Sequence, residues 1–80
     1  MDLARRLKPQ HLRLIVKIAE SGKLQIAAGA LAISQPAASR ILAELETDLG
    51  TKLFDRHPKG MVPTAIGQAF LQHGRAILAT

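Results

Sequence analysis

Eighty residues make one small domain, near the lower end of what a single hydrophobic core stabilises. Hydrophobic residues are 48% of the chain and aromatics only 2%, which excludes compositional disorder and calls for a core of Leu, Ile, Val and Ala, as in packed helices rather than a sheet sandwich. The chain has no cysteine, which excludes disulfide scaffolds, thiolate metal sites and cysteine nucleophiles, and its formal net charge of +5 favours a polyanionic partner, nucleic acid ahead of an anionic membrane surface.

Met1-Asp2-Leu3-Ala4-Arg5-Arg6 leads into no apolar stretch of signal-peptide type. The longest nearly uncharged run, Leu24 to Ser39, is broken by Gln25, Gly29 and Pro36. It falls short of the roughly 20 apolar residues that a membrane span needs. The expectation is a soluble, cytoplasmic protein.

A first helix is predicted from Lys8 or Pro9 to Ser21, with Pro9 suited to a first-turn position. Leu12, Ile15, Val16 and Ala19 recur at helical spacing and form one apolar face, while Leu14 and Ile18 form a second line on another side. Gly22 ends this helix as a left-handed cap. A second helix covers about Gln25 to Ala32, with Ala27, Ala28 and Leu31 facing inward, and Ile33-Ser34 forms a short connection. Ser34 is a good N-cap and Pro36 is tolerated in the first turn of the next helix. That third helix runs to about Leu49, buries a stripe of Ala38, Ile41, Leu42, Leu45 and Leu49, and ends at Gly50.

Leu53-Phe54-Asp55-Arg56 and Met61-Val62-Pro63 read as two short strands around the turn His57-Pro58-Lys59-Gly60, with Pro63 confining the second to an edge. Thr64 then caps a fourth helix from Ala65 onward, in which Ile66, Phe70, His73 and Ile77 share the principal apolar face and Leu71 and Leu78 lie elsewhere. The helical pattern continues through Arg75 to Thr80 without a stop signal, as it would in a chain cut within or just after a helix. The order is helix, helix, tight turn, helix, hairpin, helix.

Two short helices joined by a tight turn, the second opening with small and polar residues, form the helix-turn-helix layout. Ala27 and Ala28 are small enough to let helices two and three approach closely. The opening of helix three must be polar and uncrowded to enter a major groove, and Gln35, Ser39 and Arg40 meet that need. Gln pairs with adenine and Arg with guanine there, and the positive end of the helix dipole faces phosphate. No Asp or Glu occurs between Ser21 and Ala43, whereas Glu44, Glu46 and Asp48 gather at the far end of helix three, read as away from the groove.

Ala27-Ala28, Leu31, Ser34-Gln35-Pro36-Ala37 and Ser39-Arg40 resemble the LysR-type bacterial transcriptional regulators. So do Leu45-Glu46, Leu49-Gly50, Leu53-Phe54 with Arg56, and Thr64-Ala65-Ile66-Gly67, so that the resemblance runs from about His11 to Ala79. Ser-Gln-Pro-Ala alone is a weak motif, and its place before Leu-Glu, Leu-Gly, Leu-Phe and Thr-x-x-Gly makes it specific. The resemblance implies a mainly α, winged helix-turn-helix domain over residues 1–64, with a short two-stranded wing. Residues 65–80 would be a long linker and dimerisation helix leading to an effector-binding domain absent from these eighty residues, where any small-molecule effector would bind. Its expected partners are double-stranded DNA and a second copy of itself, a tetramer being possible in a full-length protein, in the bacterial cytoplasm at the nucleoid.

Carried over residue by residue, Gln35, Pro36, Ser39 and Arg40 are the base-reading set. Lys23, Gln25, Ser34, Arg56 and Lys59 are the backbone and wing set. The alternatives are a helix cap for Ser34, a bridge to Asp55 or to a helix C-terminus for Arg56, and a solvated turn residue for Lys59. The sequence departs from the family pattern at Gln25, where Thr or Ser is common, at Ile26, where a polar residue is commoner, and at Val62-Pro63, where a basic residue and Leu are frequent.

Leu14 and Ile18 on helix one, with Phe70, Leu71, Ile77 and Leu78 on helix four, exceed what one small core is expected to use and are the predicted dimer interface. Packing against a further domain is the alternative. Lys8, Arg13 and Lys17 read as solvated charges, and His11, His57 and His73 lack helical-spacing partners for a metal. No nucleophile has a partner for catalysis, so no enzyme activity, cofactor or metal is expected. Two other readings use the same composition: a helical protein-interaction module with incidental charge, and a basic membrane-surface helix. Against the second, the basic residues are scattered over several elements and no helix has an aromatic face.

Overall fold

In the computed structural model, which describes residues 9–79 and their side chains through residue 76, helix α1 (Pro9–Ser21) opens on its proline, whose missing N–H costs nothing in a first turn. The alternative start at Lys8 lies outside the described residues. Leu12, Leu14, Ile15 and Ile18 are all buried, and at 100° per residue they span an arc of roughly 160°. An arc that wide is needed because α1 has neighbours on several sides: α2, α3, the hairpin and the last helix all pack on it. Leu14 and Ile18 are both 0% exposed, so the second apolar line of α1 is core and not a dimer surface, contrary to the sequence expectation.

After Gly22, in the left-handed region, helix α2 (Leu24–Ala30) starts one residue earlier than expected because Leu24 joins Ala27 and Ala28 in the core. It also stops earlier. Leu31 is its C-cap, and Ala32 adopts φ +57°, a conformation that costs a residue with a Cβ about 1–2 kcal/mol. The chain turns by 106° between α2 and helix α3 (Gln35–Leu49), within the helix-turn-helix range of about 90–120°. Ser34 Oγ accepts the Ala37 N–H at 3.1 Å and caps α3, as its position in sequence predicts. Ala38, Leu42 and Leu45 are buried, Ile41 and Leu49 pack against them in part, and the helix ends at Gly50 in the left-handed region.

Strands β1 (Phe54–His57) and β2 (Gly60–Pro63) pair antiparallel, Phe54 with Pro63, Asp55 with Val62, Arg56 with Met61 and His57 with Gly60. Each strand reaches one residue nearer the tip than expected, which leaves Pro58-Lys59 as a two-residue turn. The hairpin rests on the α1–α2 turn through Met61 N–H donating to Gly22 O at 2.8 Å. Gly60, at φ +138°, permits this approach, since a Cβ there would stand 2.6 Å from Gly22 O.

Helix α4 (Ala65–Ala79) begins at a cap in which Thr64 Oγ1 accepts the Gly67 N–H at 3.0 Å and donates to Lys52 O at 2.8 Å. It presents to the core the line Gly67, Leu71 and Gly74, on a different side from the face of Ile66, Phe70 and His73. Ile66 is 52% exposed, His73 is exposed and Phe70 half-buried, while Leu71 is 4% exposed and lies in the same core cluster as Leu14 and Ile18. The glycines draw the helix in: Leu53 O lies where a Gly67 Cβ would be, and the Leu12 side chain is 3.5 Å from a Cβ at Gly74. Leu71 therefore leaves the predicted dimer set, and α4 packs into the same core as the elements before Thr64. The side chains of Ile77 and Leu78 lie outside the described residues. The described residues, with four helices and a two-stranded wing, make a mainly α, winged helix-turn-helix domain.

Candidate nucleic-acid interface

The burial of Ala38, Leu42 and Leu45 sets the rotation of α3 and turns Gln35, Pro36, Ser39 and Arg40 to solvent. All four predicted base-reading residues thus stand on the exposed side of the first two turns. Ala37, part-buried, adds no bulk between them. Ser34 spends its hydroxyl on the helix cap, which favours the capping role over base reading.

The wing supplies the second surface. Arg56, His57, Pro58 and Lys59 are all exposed. An open cleft of about 320 Å³ runs between α3 and the wing, and its lining includes Ser39 and Ala43 from α3, Lys52, and Asp55 and Arg56 from β1. The fold therefore brings Ser39 and Arg56, seventeen positions apart, to one concavity. Lys23 and Gln25 are exposed at the start of α2, and the Lys23 side chain makes no capping hydrogen bond.

Among the described residues, ion pairs join Lys17 to Glu20 at 3.5 Å and Lys52 to Glu46 at 3.8 Å, and none joins Arg56 to Asp55. Arg40, Arg56 and Lys59 likewise have no described carboxylate partner, so their charge faces outward unneutralised.

Glu46 has a structural role that the sequence reading did not assign to it. Its side chain is 13% exposed, and it lines the α3–wing cleft. Oε2 accepts the N–H of Leu53 at 2.7 Å and of Phe54 at 3.4 Å, which gives a physical reason for a glutamate seven residues before Leu-Phe. Charge alone could not find it, because an acid near a helix C-terminus reads as solvated until the following turn folds back. Ile26, a departure from the family pattern, is 54% exposed, and Val62 is 46% exposed. No three His, Cys, Asp or Glu residues gather as metal ligands among the described residues, and no single helix there is long and apolar enough to cross a membrane.

Residues 9–68 match the family described as bacterial regulatory helix-turn-helix protein, lysR family. The chain is 46% identical over 77 residues to the HTH-type transcriptional regulator GbpR of Azospirillum brasilense, covering 96% of this chain and 22% of that protein. It is 42% identical over 73 residues to the HTH-type transcriptional regulator CbbR of Sinorhizobium medicae (strain WSM419), covering 91% of this chain and 23% of that one. The chain thus spans between a fifth and a quarter of the length of these curated relatives. The crystal structure of the CbnR DBD–DNA complex superposes with a TM-score of 0.83 at 38% identity, covering 91% of this chain and 84% of that one. The BenM DBD/catB site 1 DNA complex gives a TM-score of 0.84 at 33% identity, covering 91% of this chain and 78% of that one. With its helix-turn-helix, its two-stranded wing and a match that runs from the first described helix into the last, this chain belongs to the lysR family of bacterial regulatory helix-turn-helix proteins.

Proposed function

We propose that this chain binds double-stranded DNA sequence-specifically and, as part of a homodimer, regulates bacterial transcription. The observation that carries the reading is the outward face of α3: Gln35, Pro36, Ser39 and Arg40 are exposed, no acid interrupts them, and a cleft joins Ser39 to Arg56 of the wing. Two relatives of the same fold, CbnR and BenM, have DBD structures solved with DNA, which supports the same partner here. The first two turns of α3 enter the major groove, Arg40 reading guanine and Gln35 reading adenine. Arg56 and Lys59, with Lys23 and Gln25 at the start of α2, meet the phosphate backbone or the adjacent minor groove and supply most of the affinity.

Two copies pair through the outward line of α4, where Ile66 is 52% exposed and Phe70 half-buried. Pairing sets two recognition helices about one turn of DNA apart, or a multiple of it. Control by a small effector belongs to a separate domain of a longer protein, since the matched relatives are four to five times this length.

Selection from a pool of randomised duplexes tests this reading. Recovery of a partly palindromic site, with half-site centres at about 10 base pairs or a multiple, is the expected result. A recovered pool no different from the input overturns it.

A further inference from the structure

The surfaces proposed to hold DNA belong to different elements, the reading side chains to α3 and the phosphate-binding cations to the hairpin. Their mutual placement therefore matters as much as their charge. Glu46 spans the gap. It extends from α3, and its Oε2 accepts the N–H groups of Leu53 and Phe54, at 2.7 and 3.4 Å, where the chain enters β1. Oε1 lies 3.8 Å from Lys52 Nζ, and the side chain is only 13% exposed. Seven residues separate Ser39 from Glu46, so both lie on one line of the helix, and both line the cleft that Arg56 completes. Strand β2 is anchored elsewhere, by Met61 N–H on Gly22 O.

We propose that Glu46 is a positioning residue for DNA binding: by tying the entry of β1 to α3, it fixes where Arg56 and Lys59 stand relative to Ser39 and Arg40, so that wing and helix engage one duplex together. The proposal rests on the DNA-binding reading above. A charged acceptor suits this task, because hydrogen bonds to a carboxylate are shorter and stronger than those to a neutral oxygen. Lys52 offsets the local charge that the carboxylate brings to the cleft.

The sign of a substitution separates positioning from mere charge. Removing a carboxylate from a DNA-facing cleft tightens binding by long-range electrostatics alone. Positioning predicts the reverse for Glu46→Gln: weaker binding, and a slope of log K against log salt shallower by about 1–2, at roughly 0.9 for each phosphate that is no longer neutralised. The measurement is fluorescence anisotropy with the selected duplex over a salt series, at a temperature where circular dichroism shows the variant folded. Glu46→Asp keeps the charge and shortens the reach, so it is expected to weaken binding and flatten the slope in the same way; it carries the test where Glu46→Gln does not fold. Because the effect runs through the wing, combining either change with Arg56→Gln is expected to cost less than the sum of the two single losses, the remainder being the contact of Lys59. Tighter or unchanged binding, an unchanged slope, or losses that add in the double variant overturn the proposal while the DNA reading stands. Failure of the unmodified chain to bind any duplex at low salt overturns both.

Discussion

Two glycines of α4 meet the core at different clearances, and the same substitution is expected to destabilise at one and not at the other. A Cβ at Gly67 meets Leu53 O, with Leu53 C 3.0 Å and Thr64 Oγ1 3.3 Å away. Two of these three atoms are backbone, and the third makes the hydrogen bonds to Gly67 N–H and Lys52 O, so no flexible side chain can yield. Overpacking of this kind costs about 1–3 kcal/mol. Disturbing the Thr64 cap adds about 1 kcal/mol more. Alanine recovers about 1 kcal/mol of helix propensity, so Gly67→Ala is expected to destabilise by a net ~1–3 kcal/mol. For a domain of this size each kcal/mol lowers Tm by about 4–8 °C. At Gly74 the nearest atom to a Cβ is Leu12 Cδ2 at 3.5 Å, an ordinary contact, so Gly74→Ala is expected to be neutral or stabilising by up to about 1 kcal/mol. Urea unfolding followed by circular dichroism measures both. Equal effects of one sign at the two positions would refute the packing of α4 described above.

Leu14→Ala separates core from interface: a fully buried leucine should cost about 2–5 kcal/mol, with no dependence of the loss on protein concentration, read by denaturation at two concentrations. Ser34→Ala removes the α3 cap and is expected to cost about 1 kcal/mol in the same assay. Lys59→Gln at the exposed hairpin tip should weaken binding to all duplexes alike and reduce the salt slope by about 1, which a titration on specific and scrambled DNA reads directly.

Much of the backbone was legible because its punctuation is local. Ser34 caps α3, Gly22 and Gly50 end helices, and Thr64 opens α4, each by chemistry confined to a few residues. What sequence periodicity misread was which apolar line meets what. Leu14 and Ile18 looked surplus only on the assumption that a helix has one buried face, whereas α1 is packed from several sides. On α4 Leu71 looked surplus because its neighbours on the line that packs, Gly67 and Gly74, contribute closeness of approach and not hydrophobicity. The early end of α2 is set by the left-handed turn at Ala32, a residue whose helix propensity points the other way. At the candidate interface the exposure of Gln35, Ser39 and Arg40 followed from the stripe opposite them. Glu46 did not, since its partners are backbone groups that arrive only once the loop after Gly50 folds back.

Sequence-specific recognition by α3 is tested most directly by fluorescence anisotropy of the chain and of Arg40→Ala on the selected palindrome and on a scrambled duplex, across a salt series. The unmodified chain is expected to prefer the palindrome, with binding that falls steeply as salt rises. Arg40→Ala is expected to lose about 1–3 kcal/mol on the palindrome and little on the scrambled duplex. Equal affinity for both duplexes, or an Arg40→Ala loss of the same size on each, would contradict base reading by this helix.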